Sequence, residues 1–408
     1  MKILIISQYF YPENFKVNDI AFDYVKKGHE VTVLTAKPNY PSGTFSKGYS
    51  FFGKRKEKIN GVNVVRVPII PRLNNKSYML VLNYVSFIFF SWFAVFFRIK
   101  GSYDVVFSHL TSPLTSAIPG IWLKRKFNIP LVIWVLDLWP DSVTANSNIK
   151  GGPIIKILNK ITNYIYKNSD KILVSSNAFK KEIIKNFNVP DNKLLFFPNW
   201  AEDIFIRDNK QRISKKINLP DGLNIMFAGN LGESQGFEAI FKAVEQTKND
   251  CNINWIFVGD GRKASWMKQK IKEKKLTNAY MLGRFPLEEM PDFFRKADVM
   301  LVSLKADSLI SLTIPAKIQA YMASGKTILG MINGEGKNLI NDNGIGFAVS
   351  AGDYKGLVEK VREFQKIPKY QKLRMEKKAK ELYKENFSKE KLFKELEEIL
   401  KIKKMNQH

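Results

Sequence analysis

The segment Phe227-Ala-Gly-Asn-Leu-Gly-Glu-Ser-Gln-Gly236 follows an apolar run and leads into a helical pattern over Phe237 to Thr247. Glycines in such a place let the backbone approach a phosphate, and the free N–H groups and positive dipole end of the helix favour an anion there. Two further turns follow apolar runs: Gly259-Asp260-Gly261 after Trp255 to Val258, and Gly283-Arg284 after Tyr280 to Leu282. One glycine loop alone is an ordinary strand-to-helix turn. Three at successive strand ends would line one edge of a sheet, where open α/β sheets bind ligands, and a nucleotide suits them. Downstream, a helix opens near Pro315 and stops at Gly325, which puts Lys317 in its first turn. A cation there opposes the dipole unless an anion is bound; the plainer alternative is a solvated surface lysine.

Acid–base chemistry has fewer candidates. Asp137 and Asp141 bracket Leu-Trp-Pro after the apolar run Leu131 to Val135, a place for a carboxylate that orients or deprotonates a hydroxyl. Asp141 could equally cap the following helix. His109, after Val105 to Phe107, is either an acid or base near neutral pH or a satisfied structural group. Glu13 and Asn14, in the loop after the first apolar run, would face a substrate or simply form a turn.

Parallel strands must position these residues. Apolar runs at Ile3 to Ile6, Val31 to Leu34, Val62 to Val67, Val105 to Phe107, Leu131 to Val135 and Ile172 to Val174 leave room for crossover helices. A second series covers Asn224 to Ala228, Asn254 to Val258, Tyr280 to Leu282, Val299 to Val302, Thr327 to Met331 and Gly346 to Val349. The polar stretch Glu202 to Asp221, with Pro220, reads as a linker. The expected organisation is α/β: a doubly wound domain over 1–200, a second over 201–385, and a C-terminal helix over 386–408 that returns to the first domain. The lysine- and glutamate-rich tail from Lys366 to Lys404 should form one or two amphipathic helices. Met1-Lys2 leads straight into Ile3 to Ile6, which reads as a first strand and not as a leader peptide.

Composition narrows the class. The chain has 408 residues, with 65 Lys and Arg against 38 Asp and Glu, a net charge of +27, three histidines and one cysteine, Cys251. That excludes a disulfide framework and a thiolate-rich zinc site, and no metal or cofactor is expected. The charge draws polyanions: nucleic acid, anionic lipid or phosphorylated substrates. Against nucleic acid, the aromatics concentrate in one apolar run and do not interleave with basic residues, and no recognised motif appears.

That run is Ser77 to Phe97, 21 residues without a charge, including Phe87, Phe89, Phe90, Trp92, Phe93, Phe96 and Phe97. It is long enough to span a bilayer, but a span would separate strands that must share a sheet. A buried core helix is one alternative. The preferred reading is a helix in the membrane interface, with Lys54, Arg55, Lys56, Lys58, Arg72, Lys76, Arg98 and Lys100 meeting an anionic membrane surface.

Paired α/β halves, the glycine turns, the Ile314-Pro-Ala-Lys317 to Ala323-Ser-Gly325 helix and a closing C-terminal helix resemble the family 4 glycosyltransferases of GT-B fold. Ser7-Gln-Tyr-Phe-Tyr-Pro-Glu-Asn14, Pro38-Asn-Tyr-Pro-Ser-Gly43 and Trp134-Val-Leu-Asp-Leu-Trp-Pro-Asp141 resemble its bacterial branch building O-antigen, capsule or colanic acid, closest in look to N-acetyl-L-fucosamine transferases. The resemblance implies two Rossmann-like domains facing a cleft. It also implies a UDP-sugar donor, an undecaprenyl-diphosphate-linked saccharide acceptor, retention at the anomeric carbon and a cytoplasmic-face, peripheral location. Gly229, Asn230 and Gln235 would lie at the diphosphate, and Asp260 and Gly261 on the pocket floor. Gly283 and Arg284 would frame the base, and Lys317 and Gln319 would reach phosphate and ribose. The chain departs from the family pattern in three places. Asn230 and Gln235 replace an Arg and a Lys, Ser311 and Gln319 replace a Glu pair, and Leu136 replaces the histidine before Asp137. A nucleotide-sugar epimerase or hydrolase on the same fold is the alternative chemistry.

Overall fold

The computed structural model describes residues 1–73, 77–145, 152–206, 217–250, 252–307 and 309–402. Cys251, Lys76 and the middle of the expected linker, 207–216, lie outside them. The chain divides into two compact units, one of Met1–Phe197 with the chain from Phe393 onward, the other of Pro198–Leu392.

The first unit is built on β1 (Lys2–Ile6), β2 (Glu30–Ala36), β3 (Lys56–Ile59), β4 (Val62–Val67), β5 (Val105–Leu110), β6 (Leu131–Val135), β7 (Lys171–Val174) and β8 (Leu194–Phe196), in the order β3-β4-β2-β1-β5-β6-β7-β8. All neighbours pair parallel except β3 with β4. Continuous burial of β5 and β6 explains their unbroken apolar runs, since helices cover both faces. The strand order reverses between β1 and β5, so the loops after these strands flank the switch point of the sheet.

The second unit repeats the plan with β9 (Leu223–Ala228), β10 (Ile253–Val258), β11 (Ala279–Gly283), β12 (Val299–Ser303), β13 (Ile328–Met331) and β14 (Gly346–Val349), in the order β11-β10-β9-β12-β13-β14. Its core gathers Phe227, Phe237, Phe257 and Trp255 with Leu301, Leu329 and Val361. The switch point falls between β9 and β12.

The uncharged segment is the helix Ser77–Phe93, continued by a π-helical turn, Ala94–Arg98. Lys126 closes its end, its Nζ donating to the Val95 carbonyl at 2.6 Å and the Ile99 carbonyl at 2.8 Å. A cation there satisfies orphan carbonyls and matches the negative end of the dipole. β1 before the helix and β5 after it are paired neighbours, Ile3 against Val105, so a membrane span would tear one sheet. Only 33% of the apolar window is buried. Tyr78, Leu82, Val85, Phe89, Phe93 and Phe96 are exposed at spacings of three or four residues and therefore share a face.

The tail forms two helices, Lys369–Asn386 and Lys389–Leu400. Within the first unit the last helix is held by the Tyr24 hydroxyl, which donates to the Phe393 carbonyl at 3.1 Å, and by His29 facing Glu397 at 3.5 Å.

Candidate functional site

The second unit holds a cavity of about 730 Å³ at the C-terminal ends of β9, β10 and β11. The three glycine turns build its floor by stacking backbone on backbone. Gly229 N–H donates to the Val258 carbonyl at 2.9 Å, and Gly259 N–H to the Gly283 carbonyl at 2.7 Å. Gly259 has φ +142°, and a Cβ there would collide with the Gly229 carbonyl oxygen, so only glycine fits. Asn230, Asp260 and Gly261 line the cavity with Gly229. The Asp260 carboxylate is occupied in part by the Gly261 N–H at 2.8 Å. Arg284 reaches the cavity from the end of β11, whereas Gly283 sits beneath it.

Lys317 enters from the other side of the switch point, on the helix Ala316–Ala323 that follows Pro315. Its Nζ lies over the Phe227 ring at 4.5 Å and donates to Gln235 Oε1 at 3.0 Å. Its stem passes so close to Gly229 that a Cβ there would meet Lys317 Cε at 2.9 Å. Burial pulls the ammonium down to about 8 from the ordinary 10.5. Among the described residues it has no carboxylate partner. A largely buried cation at a helix N-terminus, held by a neutral amide, is unfavourable alone and is relieved by an incoming anion. The surface-lysine alternative does not describe this residue.

Besides Gly283, two residues expected at the ligand lie outside the cavity lining. Gln235 is buried and does not line the cavity; its side-chain amide oxygen Oε1 accepts from Lys317 and orients it instead. Gln319 is also buried, with its amide oriented so that the nitrogen donates to the Pro315 carbonyl at 2.7 Å, inside its own helix, and it does not line the cavity. Lining residues that went unread in the sequence include Glu202, Phe205, Phe285, Leu287, Met290, Phe294 and Tyr321. Phe205 and Phe294 stack at 5.1 Å, so the segment read as linker at Glu202 in fact packs within the second unit. Tyr321 lies four residues from Lys317, on the same helix face, and that spacing was a usable signal.

The first unit presents its carboxylates differently. Glu13 Oε1 accepts the N–H of Tyr40 at 2.7 Å and of Asn39 at 2.8 Å, and Oε2 accepts that of Phe10 at 3.3 Å. Burial pushes it up to about 7 from 4.5 despite these bonds. The carboxylate clasps two loops and is buried; a substrate-facing Glu13 is not what the structure holds, while neighbouring Asn14 is exposed. Expectation also fails at His109 as a group titrating near neutrality. It is 2% exposed, packed against Trp134 at 5.4 Å, with Nδ1 3.1 Å from the Ser7 hydroxyl. Burial holds it down at about 3, so the ring stays neutral.

Asp137, just past β6, is half-buried and so, unlike Glu13, remains reachable. Burial raises it to about 6 from 3.8, opposed by hydrogen bonds from the Ser142 and Ser112 hydroxyls. Asp141 starts the short helix Asp141–Ala145, where its charge suits the dipole, and is raised by burial and by Glu182. Among the described residues no group of three His, Cys, Asp or Glu is placed to hold a metal ion.

Both halves of the chain resemble known proteins. Residues 16–200 match the model of the glycosyl transferase 4-like domain, and residues 222–366 that of the glycosyl transferases group 1. Among relatives, the Escherichia coli protein WcaI, named as a colanic acid biosynthesis glycosyl transferase, is 23% identical over 404 residues, 95% of this chain and 97% of that one. Pseudomonas aeruginosa WbjE, named as a glycosyltransferase, is 27% identical over 266 residues, 64% of this chain and 66% of its own length. Sucrose-phosphate synthase of Thermosynechococcus elongatus superposes with a TM-score of 0.69 at 16% identity, covering 98% of both chains. Anabaena HepE in complex with UDP and glucose gives 0.66 at 16%, covering 98% of this chain and 99% of that one. At such identities the likeness is one of fold, and the fold is GT-B. Matched in both halves by these two models, the chain belongs to the family 4 glycosyltransferases.

Proposed function

We propose that this protein transfers a sugar from a UDP-linked donor to an undecaprenyl-diphosphate-linked saccharide during assembly of a surface polysaccharide. The observation that carries the reading is Lys317: a largely buried ammonium with no carboxylate partner among the described residues, opposite three glycine turns. Such a cation is built for a diphosphate. Arg284 shares the leaving-group charge with Lys317, and no metal ion is invoked. Phe285, Phe294 and Met290 offer the base an apolar wall. The structure of HepE with UDP and the name of WcaI support donor and pathway class respectively.

In the first unit, Asp137 orients the acceptor hydroxyl or stabilises positive charge at the anomeric carbon, with retention of configuration. The donor sugar is N-acetyl-L-fucosamine or a related amino or deoxy sugar. The protein sits peripherally on the cytoplasmic face of the membrane. Its exposed aromatic helix, joined through the Phe51–Phe90 contact by Phe52 at 77% exposure, is far more apolar than a solvated helix tolerates, and Lys54, Arg55, Lys58 and Lys100 are all exposed. A panel of UDP-sugars with a synthetic prenyl-diphosphate GlcNAc acceptor tests the function. Transfer from one donor with negligible turnover in the absence of acceptor is expected. Epimerisation or hydrolysis of the donor alone would replace this reading.

A further inference from the structure

The first unit carries a second concavity, of about 810 Å³, between the helix Pro153–Asn168 and the segment from the end of the helix Asn177–Phe187 to Lys193. Ile155, Asn159, Asn163 and Lys167 line it at four-residue spacing, so one helix face forms a wall about 18 Å long at 1.5 Å per residue. Asp141 stands at one end.

Four ammonium groups border this groove, those of Lys160, Lys167, Lys185 and Lys193, against the single lining carboxylate of Asp141. Lys193 donates to the Ser169 carbonyl at 3.1 Å. Lys160, Lys167 and Lys185 have no ion-pair or hydrogen-bond partner among the described residues, and the same holds for the amides of Asn159 and Asn163. A third observation is independent of these surface groups. Tyr166, fully buried, lines the groove with a hydroxyl that finds no partner among the described residues. That hydroxyl lies near the carboxylates of Asp137 and Asp141, so the groove wall backs directly onto the carboxylates after β6.

The chemistry that fits is specific. Ammonium groups recognise carboxylate or phosphate, and each amide offers both donor and acceptor, as adjacent sugar hydroxyls require. The groove offers no row of exposed aromatic faces for stacked bases, since the Tyr166 ring packs on Phe187 at 5.3 Å. We propose that this groove binds an anionic oligosaccharide, the class of chain that a polysaccharide-building transferase extends. For that ligand class it rests on the function proposed above.

Calorimetry on the full chain tests it, with hyaluronan hexasaccharide as the probe and neutral chitohexaose and inorganic tripolyphosphate as comparisons. Hyaluronan should bind at least tenfold more tightly than chitohexaose. Lys160→Gln with Lys185→Gln and Lys193→Gln should weaken it about tenfold or more. Asn159→Ala with Asn163→Ala, which leaves the charge alone, should weaken it roughly fivefold. Absence of hyaluronan binding overturns the proposal, as does a silent asparagine variant with tripolyphosphate bound equally well, which would mark a general polyanion surface. UDP titrated into the same samples separates the outcomes: intact UDP binding with a silent groove refutes the groove alone, and loss of both refutes the transferase reading.

Discussion

The two units share one sheet plan and finish it in opposite ways. In the second, the strand ends are closed by glycines whose backbones touch, and the polar group above them, Lys317, is left short of a counter-charge. In the first, the corresponding edge is filled from within: Glu13 is taken by three backbone N–H groups and His109 is sealed beside Trp134. The second edge is therefore prepared for a small anion. The first keeps the half-buried carboxylate of Asp137 and exposes a row of aromatics on an apolar helix. The lesson is that a polar residue after a strand signals chemistry only when the chain has not already satisfied it.

The sharpest way to break this contrast is at Asp137. Asp137→Asn keeps the shape and removes the charge, so turnover should fall by about 100-fold or more with UDP affinity little changed. In the parent, turnover should decline as pH drops through about 6, where the carboxylate gains its proton. A fully active Asp137→Asn enzyme would make the first edge wholly structural. Next in size, replacing Phe89, Trp92, Phe93 and Phe97 by Ser should cut sedimentation with phosphatidylglycerol-containing vesicles by about tenfold or more, leaving UDP binding intact. An unfolded variant would instead make the helix part of the core.

Lys317 gives two smaller, opposed effects. UDP affinity should fall as pH rises through about 8, by roughly tenfold per unit at the steepest, because the ammonium loses its charge there. Stability runs the other way. A lysine whose value is depressed in the fold costs stability that builds as pH falls from 10.5 and is fully present below about 8, so Lys317→Met should raise the melting temperature at pH 7 by about 2 to 4 °C, the shift that roughly 1 kcal/mol gives a domain of this size. The gain should shrink as pH climbs toward 10.5, the ordinary lysine value. A melting temperature that falls in Lys317→Met would contradict the picture of a cation waiting for an anion.

Much of the scaffold was legible because buried parallel strands write themselves as unbroken apolar runs. β3 was missed because it is an antiparallel edge, Lys-Glu-Lys-Ile, half exposed. The Asn60-Gly61 turn beside it, with φ of 47° and 85°, was the available signal. β8, three residues long, was too short to register. At the site, the glycine turns were readable because backbone contact leaves only one residue type. Gln319, Glu13 and His109 were not, because whether a polar side chain is spent on its own backbone depends on contacts that spacing does not encode. Phe205 was hidden for a related reason: polar neighbours disguised a segment that packs against Phe294 as linker.

The central claim is that the second unit binds a nucleoside diphosphate through Lys317, and titration of UDP into the parent protein and into Lys317→Ala at pH 7 tests it most directly. Charge-assisted contacts of this kind contribute about 1.5 to 3 kcal/mol, so the dissociation constant should rise by roughly 10- to 100-fold. Equal UDP affinity in the two proteins, with both folded, would contradict the account.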